Sequence, residues 1–221
     1  MLYLPIFLPM AAAFAVWLVG RRSRRIRNVL AALTTVGELA LTVALLFVPD
    51  RTCGIAGVAG LGIQIELDGF RRVYLIVAAF LWTVTTLLGN EYFSHYETEN
   101  RYYFFNLLTL GATVGVFLAR DLFTALIFFE IMSFTSYTWV VQEETPKAVK
   151  AANTYLAVAV IGGLAALMGL FLLSHTLGTT VISELYEAAQ GVENKTVLYV
   201  AGGCVLFGFG AKAGMFPLHI W

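Results

Sequence analysis

The sequence predicts an all-α fold, a polytopic transmembrane bundle of about seven helices whose seventh is broken, and three observations carry that prediction. Of the 221 residues, 59% are hydrophobic and 13% charged, about half the charged share of an ordinary soluble domain. The mean hydropathy is +0.80. Apolar runs recur along the whole chain near the ~20 residues that cross a hydrocarbon core as a helix, and they are too long and too apolar for barrel strands.

Seven segments have the length and composition of spans: residues 2–19, 28–48, 70–89, 103–119, 122–141, 151–173 and 197–217. The first lacks a charged leading region and is followed by arginines instead of a small-residue cleavage site, so it is a retained helix and not a signal peptide. After it comes the loop "RRSRRIR", Arg21 to Arg27. A Gly-rich stretch then ends in "IQIELDG", whose alternation fits one short strand outside the bilayer. The polar "NEYFSHYETENR" separates the third and fourth spans, and the tight "ARD" at 119–121 separates the fourth and fifth. "QEETPKAVK" leads into the sixth, and "SHTLGTTVISELYEAAQGVENK" follows it, with "VISELYEAAQ" as a short surface helix. In the seventh, Pro217 removes a backbone donor and predicts a break just past Lys212.

Orientation follows from where Lys and Arg collect. With the N-terminus outside, the cytoplasmic loops hold Arg21, Arg22, Arg24, Arg25, Arg27, Arg101, Lys147 and Lys150, against Arg51, Arg71, Arg72, Arg120 and Lys195 on the other face. The majority favours N-out. Net charge is zero, which leaves no basic face for nucleic acid. Cys53 and Cys204 show no disulfide framework or metal-ligand spacing, and the chain has no haem motif or Gly-rich dinucleotide turn.

Three charges fall within the predicted spans: Glu38, Glu130 and Lys212. Each costs about 2.5 to 3.5 kcal/mol at a helix centre and needs a partner or a cavity. Ser133 and Tyr137 follow Glu130 at i+3 and i+7, on one helix face. Asn106, Thr109 and Thr113 repeat that spacing on the fourth span. Two such stripes either line a hydrated path or hydrogen-bond two helices together. Glu38 shares a stripe with Thr34 and Thr42, and reads equally as a protonated carboxyl at a helix contact or as a participant in ion movement. Lys212 sits among Gly202, Gly203, Gly208, Gly210 and Gly214, small residues that permit close helix approach. A charge beside an interrupted helix is a transporter feature; snorkelling to the surface from the helix end is the alternative. At 1.5 Å per residue, Glu130 comes out about 12 Å deep and Lys212 about 22 Å deep.

"LDGF" at 67–70, "DLFTALIFFEIMSFTSY" at 121–137, "KAVKAANTYLAVAVIGGLAALMGL" at 147–170 and "GAKAGMFPLHIW" at 210–221 occur together and in order. With them the chain resembles the antiporter-like membrane subunits of proton-pumping NADH:quinone oxidoreductase (complex I), membrane-bound hydrogenases and multi-subunit Na+/H+ antiporters. It departs from that pattern at Phe129, where tryptophan is frequent, and at Arg71 and Arg72, where small polar residues are common. The resemblance implies that Glu130 and Lys212 are the proton-translocating pair and that His219, in "PLHIW", belongs to a hydrated path. Ser133, Tyr137, Asn106, Thr113 and Glu38 are further path candidates from their spacing. Members of the family have about fourteen helices with two inverted repeats, so an N-terminal half is expected here, ending within the first repeat. A longer reading frame with more helices would mark part of a pump; a stop after Trp221 would mark a split subunit.

Two regions are therefore expected: 1–66, two helices with an Arg-rich inner and a Gly-rich outer loop, and 67–221, a partial antiporter-like domain. The function expected is proton or Na+ translocation within a redox-driven respiratory or hydrogenase-type pump, with no redox step in this chain. NAD, quinone or Fe–S centres would be carried by partner subunits. Other membrane subunits and the lipid bilayer are the expected partners, in the cell inner (plasma) membrane and not the mitochondrial one. A secondary solute permease and an inactive structural subunit are the competing readings. One lysine and one glutamate do not distinguish H+ from Na+.

Overall fold

The computed structural model describes residues 2–58, 62–93 and 98–219. It is a helical bundle with, among these residues, eight α-helices and one two-stranded sheet. Five helical stretches are long and apolar enough to cross a membrane: Arg24–Phe47, Gly69–Tyr92, Leu122–Val140, Pro146–Leu177 and Thr196–Ala213. The polytopic all-α prediction therefore holds. The first helix is apolar but shorter, and the fourth begins with the polar residues Glu99, Asn100 and Arg101.

The chain forms two compact units. The first comprises residues 1–53 and 65–118 and holds α1 (Leu4–Gly20), α2 (Arg24–Ala44), α3 (Gly69–Tyr92) and α4 (Glu99–Leu118). They close a ring, with α1 against α2 and α4, and α3 against α2 and α4. Gly111 of α4 lies against the Ile6 carbonyl of α1, where a Cβ would sit 2.5 Å from that oxygen, and Gly20 lies against Asn100. These two contacts make α1 and α4 antiparallel.

Local signals set the helix starts. Ser23 caps α2 by accepting from the Ile26 N–H, and Asp68 caps α3 by accepting from the Arg71 N–H at 2.7 Å. The α2 cap lies inside "RRSRRIR", so that stretch is no plain loop. Arg27 is on the helix, 2% exposed, ion-paired with Glu99 at the start of α4 and set over the Tyr103 ring at 5.0 Å. Arg24 adds a second, longer contact to Glu99 at 3.4 Å. Periodicity alone began α2 at residue 28 and α4 at residue 103, and so missed this buried pair. The sheet also exceeds the single strand expected: "IQIEL", as β2 (Ile63–Leu67), pairs with β1 (Arg51–Ile55).

The second unit comprises residues 54–64 and 119–221. It holds α5 (Leu122–Val140), α6 (Pro146–Leu177), the short α7 (Leu185–Gln190) predicted from "VISELYEAAQ", and α8 (Thr196–Ala213). Asp121 caps α5, accepting from both the N–H and the hydroxyl of Thr124, while that hydroxyl accepts from the Gln64 N–H. Thr145 caps α6 with Pro146 in its first turn, which carries the helix back through part of "QEETPKAVK". At 32 residues it is about 48 Å long, and it is the central element, packed on α5 and α8.

The α6–α8 contact is made of small residues. A Cβ on Gly208 would lie 2.5 Å from the Gly162 carbonyl and from the Ala166 methyl, and one on Gly169 would lie 2.6 Å from the Ala201 carbonyl. Without a hydrophobic driving force between helices in lipid, such close backbone approach is the main source of association. Helix α8 ends at Ala213 with Gly214 left-handed (φ 66°), three residues ahead of Pro217. The predicted break is thus a helix end just past Lys212. Ile220 and Trp221 lie outside the described residues, as do parts of the Gly-rich loop and of "NEYFSHYETENR".

Two substitutions test this packing. Arg27→Ala leaves Glu99 buried with only the distant Arg24, and a loss of about 3 to 5 kcal/mol is expected, read as a lower midpoint of thermal unfolding in detergent. The paired replacement Arg27→Met with Glu99→Leu should recover most of it. Gly208→Val forces α8 off α6 and should cost about 1 to 3 kcal/mol in the same measurement, whereas Gly202→Val, with nothing within 4 Å of its Cβ position, should be close to neutral.

Candidate functional site

The close approach of α6 and α8 brings Lys212, in the last turn of α8, into reach of α5 and α6. Its Nζ donates to the Ser136 hydroxyl at 2.7 Å, to the Tyr155 hydroxyl, and at 3.4 Å to the Met132 carbonyl. The Tyr155 ring also lies 5.0 Å from the ammonium. Tyr155 and Ser136 hydroxyls are 2.7 Å apart, and Tyr155 donates to the Ser133 carbonyl at 3.2 Å. A half-buried ammonium is therefore held by two hydroxyls and a backbone carbonyl, all neutral acceptors.

Glu130 does not touch it. Its carboxyl group is packed against Gly163 of α6, where a Cβ would displace it, and Oε1 is buried without a hydrogen-bond partner. The carboxyl borders an apolar groove of about 410 Å³ lined by Phe123, Leu126, Phe134, Val160 and Leu164. Ser136, the residue that Lys212 reaches, lies six positions beyond Glu130, about 9 Å along the helix. The rings of Phe129 and Phe209, 4.8 Å apart and edge to face, pack α5 against α8 close to both groups.

The other sequence-predicted residues are placed as follows. Ser133 is buried and donates back to the Phe129 carbonyl, so its contribution to the Lys212 site is its own carbonyl. Tyr137 reaches Asn153 of α6 at 3.3 Å. His219 is exposed and stacks on Phe216. In the first unit, Asn106 donates to Thr86 of α3 while its carbonyl accepts from Trp82, and Thr113 donates to the Thr109 carbonyl. The α4 stripe is thus tied to α3 and to its own backbone. Glu38 is fully buried on α2.

Ser136 and Tyr155 were not singled out from the sequence. A signal existed: "SFTSYTW" contains Ser133 and Ser136 at i,i+3 spacing, and Tyr155 closes the polar "NTY" just before the long apolar run of its helix. No metal-ligating cluster of three or more His, Cys, Asp or Glu occurs among the described residues.

Residues 119–221 match the family model described as NADH:quinone oxidoreductase/Mrp antiporter, TM. A putative antiporter subunit mnhD2 of Staphylococcus haemolyticus is 29% identical over 229 residues, covering 100% of this chain and 45% of that protein. A probable K(+)/H(+) antiporter component of Rhizobium meliloti is 28% identical over 236 residues, covering 100% and 43%. Among solved structures, a chain of the archaeal membrane-bound sulfane sulfur reductase superposes with a TM-score of 0.85 at 23% identity, covering 100% of this chain and 46% of that one. A chain of respiratory complex I from Thermus thermophilus superposes at 0.82 and 21%, with the same coverage. At these identities the structural matches establish the fold. The chain spans less than half the length of these relatives. The chain is thus similar over its whole length to antiporter subunits, and its residues 119–221 match the family model.

Proposed function

We propose that this chain is an ion-translocating subunit of a multi-subunit membrane assembly, with Lys212 as the proton carrier and Glu130 as its electrostatic partner. One observation carries the reading: a half-buried lysine ammonium held by neutral acceptors, with a carboxyl whose Oε1 lacks a hydrogen-bond partner on the same helix that supplies two of those acceptors. At an effective dielectric of about 20, two unit charges attract by about 4 kcal/mol at 4 Å and about 2 kcal/mol at 9 Å. Moving between a separated and a closed arrangement therefore changes the cost of the ammonium by about 2 kcal/mol, about thirtyfold in proton occupancy.

The two helices are built to permit such a change. Lys212 follows four flexible methylenes from the end of α8, and Gly163 leaves the Glu130 carboxyl free of steric obstruction. Closing the pair favours proton capture, and opening it favours release to a neighbouring group. Tyr155 and Ser136 act as positioning residues that hold the open arrangement.

Antiporter subunits for Na+/H+ and K+/H+ exchange are among the relatives, and they support either a proton or an alkali cation as the coupled ion. The same similarity supports other membrane subunits as partners. In a redox-driven assembly the NAD, quinone or Fe–S chemistry would lie in those partners, while this chain moves charge. A bacterial inner membrane with the N-terminus outside fits the loop charges.

In the full assembly, Lys212→Ala and Glu130→Gln should each reduce proton transport by about tenfold or more with assembly intact; undiminished transport by both would remove the assignment. Tyr155→Phe together with Ser136→Ala removes two acceptors from a charged donor, worth about 1.5 to 3 kcal/mol each. The pH profile of transport should then move by at least one unit at unchanged protein level. A fixed profile would leave these two hydroxyls a purely structural role.

A further inference from the structure

Glu38 belongs to the first unit, and the mechanism above does not use it. It is 0% exposed, and both carboxyl oxygens are buried without a hydrogen-bond partner. Neither oxygen is in any ion pair among the described residues. An ionised carboxylate in lipid needs donors, and the hydroxyls around the inner face of α2 have none to give. Thr34 donates to the Leu30 carbonyl, Thr35 to Ala32 and Thr42 to Leu39. On α3, Thr83 donates to the carbonyls of Thr35 and Ala79.

These hydroxyls retain lone pairs, so what the site lacks is a positive charge or a proton. A metal ion brings a shell of several oxygen ligands, for which a group with no exposed surface has no room; a proton adds almost no volume. The charged and titratable groups facing the same interior are few. Arg27 on α2 and Glu99 on α4 neutralise each other, eleven residues and about 16 Å from Glu38 along the helix. Tyr102 and Tyr103 lie one turn from Glu99, Arg101 of α4 buries guanidinium nitrogens, and the Tyr3 hydroxyl is buried just ahead of α1. The buried faces of α1 and α3 carry no charged or titratable residue.

Between Glu38 and that ion pair runs a column of polar side chains inside the unit. Thr83 of α3 reaches the Thr35 carbonyl, Asn106 of α4 reaches Thr86, and Tyr103 donates to Asn90 at 2.6 Å. From these contacts we infer that Glu38 is a second proton-binding site, a neutral carboxylic acid at the inner end of a polar column that leads to the Arg27–Glu99 end of the first unit. One O–H bond forms or breaks at the carboxyl, and the proton passes to or from water admitted along the column. This site is independent of Lys212.

Infrared spectroscopy of the full chain in lipid nanodiscs at neutral pH tests it. A protonated-carboxyl C=O band is expected, lost in Glu38→Gln, retained in Glu130→Gln, shifted to lower frequency in D2O and unchanged by added NaCl. Glu38→Asp should move the band without deleting it, which keeps the test valid where the glutamine variant folds poorly by circular dichroism. Absence of the band in the parent chain, or its survival in Glu38→Gln, overturns the proposal. A band abolished by NaCl makes Glu38 a cation site instead, and a band that never shifts in D2O makes it a sealed structural acid. None of these outcomes bears on transport through Lys212, so the two assignments fail separately.

Discussion

The near contact of α6 and α8 is the constraint on which the second unit depends. Gly162, Gly169 and Gly208 leave so little between the backbones that the two helices sit closer than any pair of branched side chains would allow. Two consequences follow from that distance. Lys212, at the end of α8, needs only its own side chain to reach the hydroxyl of Tyr155 on α6 and that of Ser136 on α5. Gly163, one residue along from Gly162 and turned toward α5, leaves the volume that the Glu130 carboxyl fills. A single run of small residues therefore sets the position of Lys212 and makes room for the Glu130 carboxyl.

Lipid supplies the second rule. With no water to take up a spare donor or acceptor, each polar group in a span must find its partner inside the chain. Most hydroxyls here solve this by bonding back to a carbonyl three or four residues earlier, as Thr34, Thr113, Ser133 and Thr135 do. That solution uses the hydroxyl hydrogen and leaves the oxygen as an acceptor. A helix rich in threonine thereby becomes an environment of acceptors, which suits an ammonium and does not suit a carboxylate. Lys212 among Ser136, Tyr155 and a carbonyl shows the first half of that statement, and Glu38 the second.

Much of this was legible in the sequence. Five apolar stretches, the short surface helix after the sixth span and the stop beyond Lys212 follow from hydropathy, Gly and Pro. Helix starts were read too late wherever polar residues belong to the helix: Ser23 and Thr145 carry the capping signal, but the arginines and lysines after them looked like loop. The same bias hid Arg27 and Glu99, because a charge near the end of an apolar run is ordinarily solvated and only tertiary packing buries this pair. Strand β1 carries no alternation, so its pairing with β2 was invisible. Ser136 escaped because its role depends on where α8 ends relative to α5, a three-dimensional fact that spacing within one helix does not contain.

The two intramembrane carboxyls differ in a way that bears on what each can do. Glu130 borders a groove and shares its helix with the groups that hold a lysine; a change in helix separation of a few ångströms alters its electrostatic energy by an amount comparable to a proton's binding free energy over about one or two pH units. Among the described residues Glu38 is in no ion pair, and Arg27, about 16 Å away along α2, is already paired with Glu99. The charge state of Glu38 is governed by solvation, and so by whether water enters the polar column. One carboxyl is thus sensitive to the position of a charge and the other to hydration. With Lys212 and Glu38 acting as proposed, one chain pairs a site governed by helix movement with a site governed by water access.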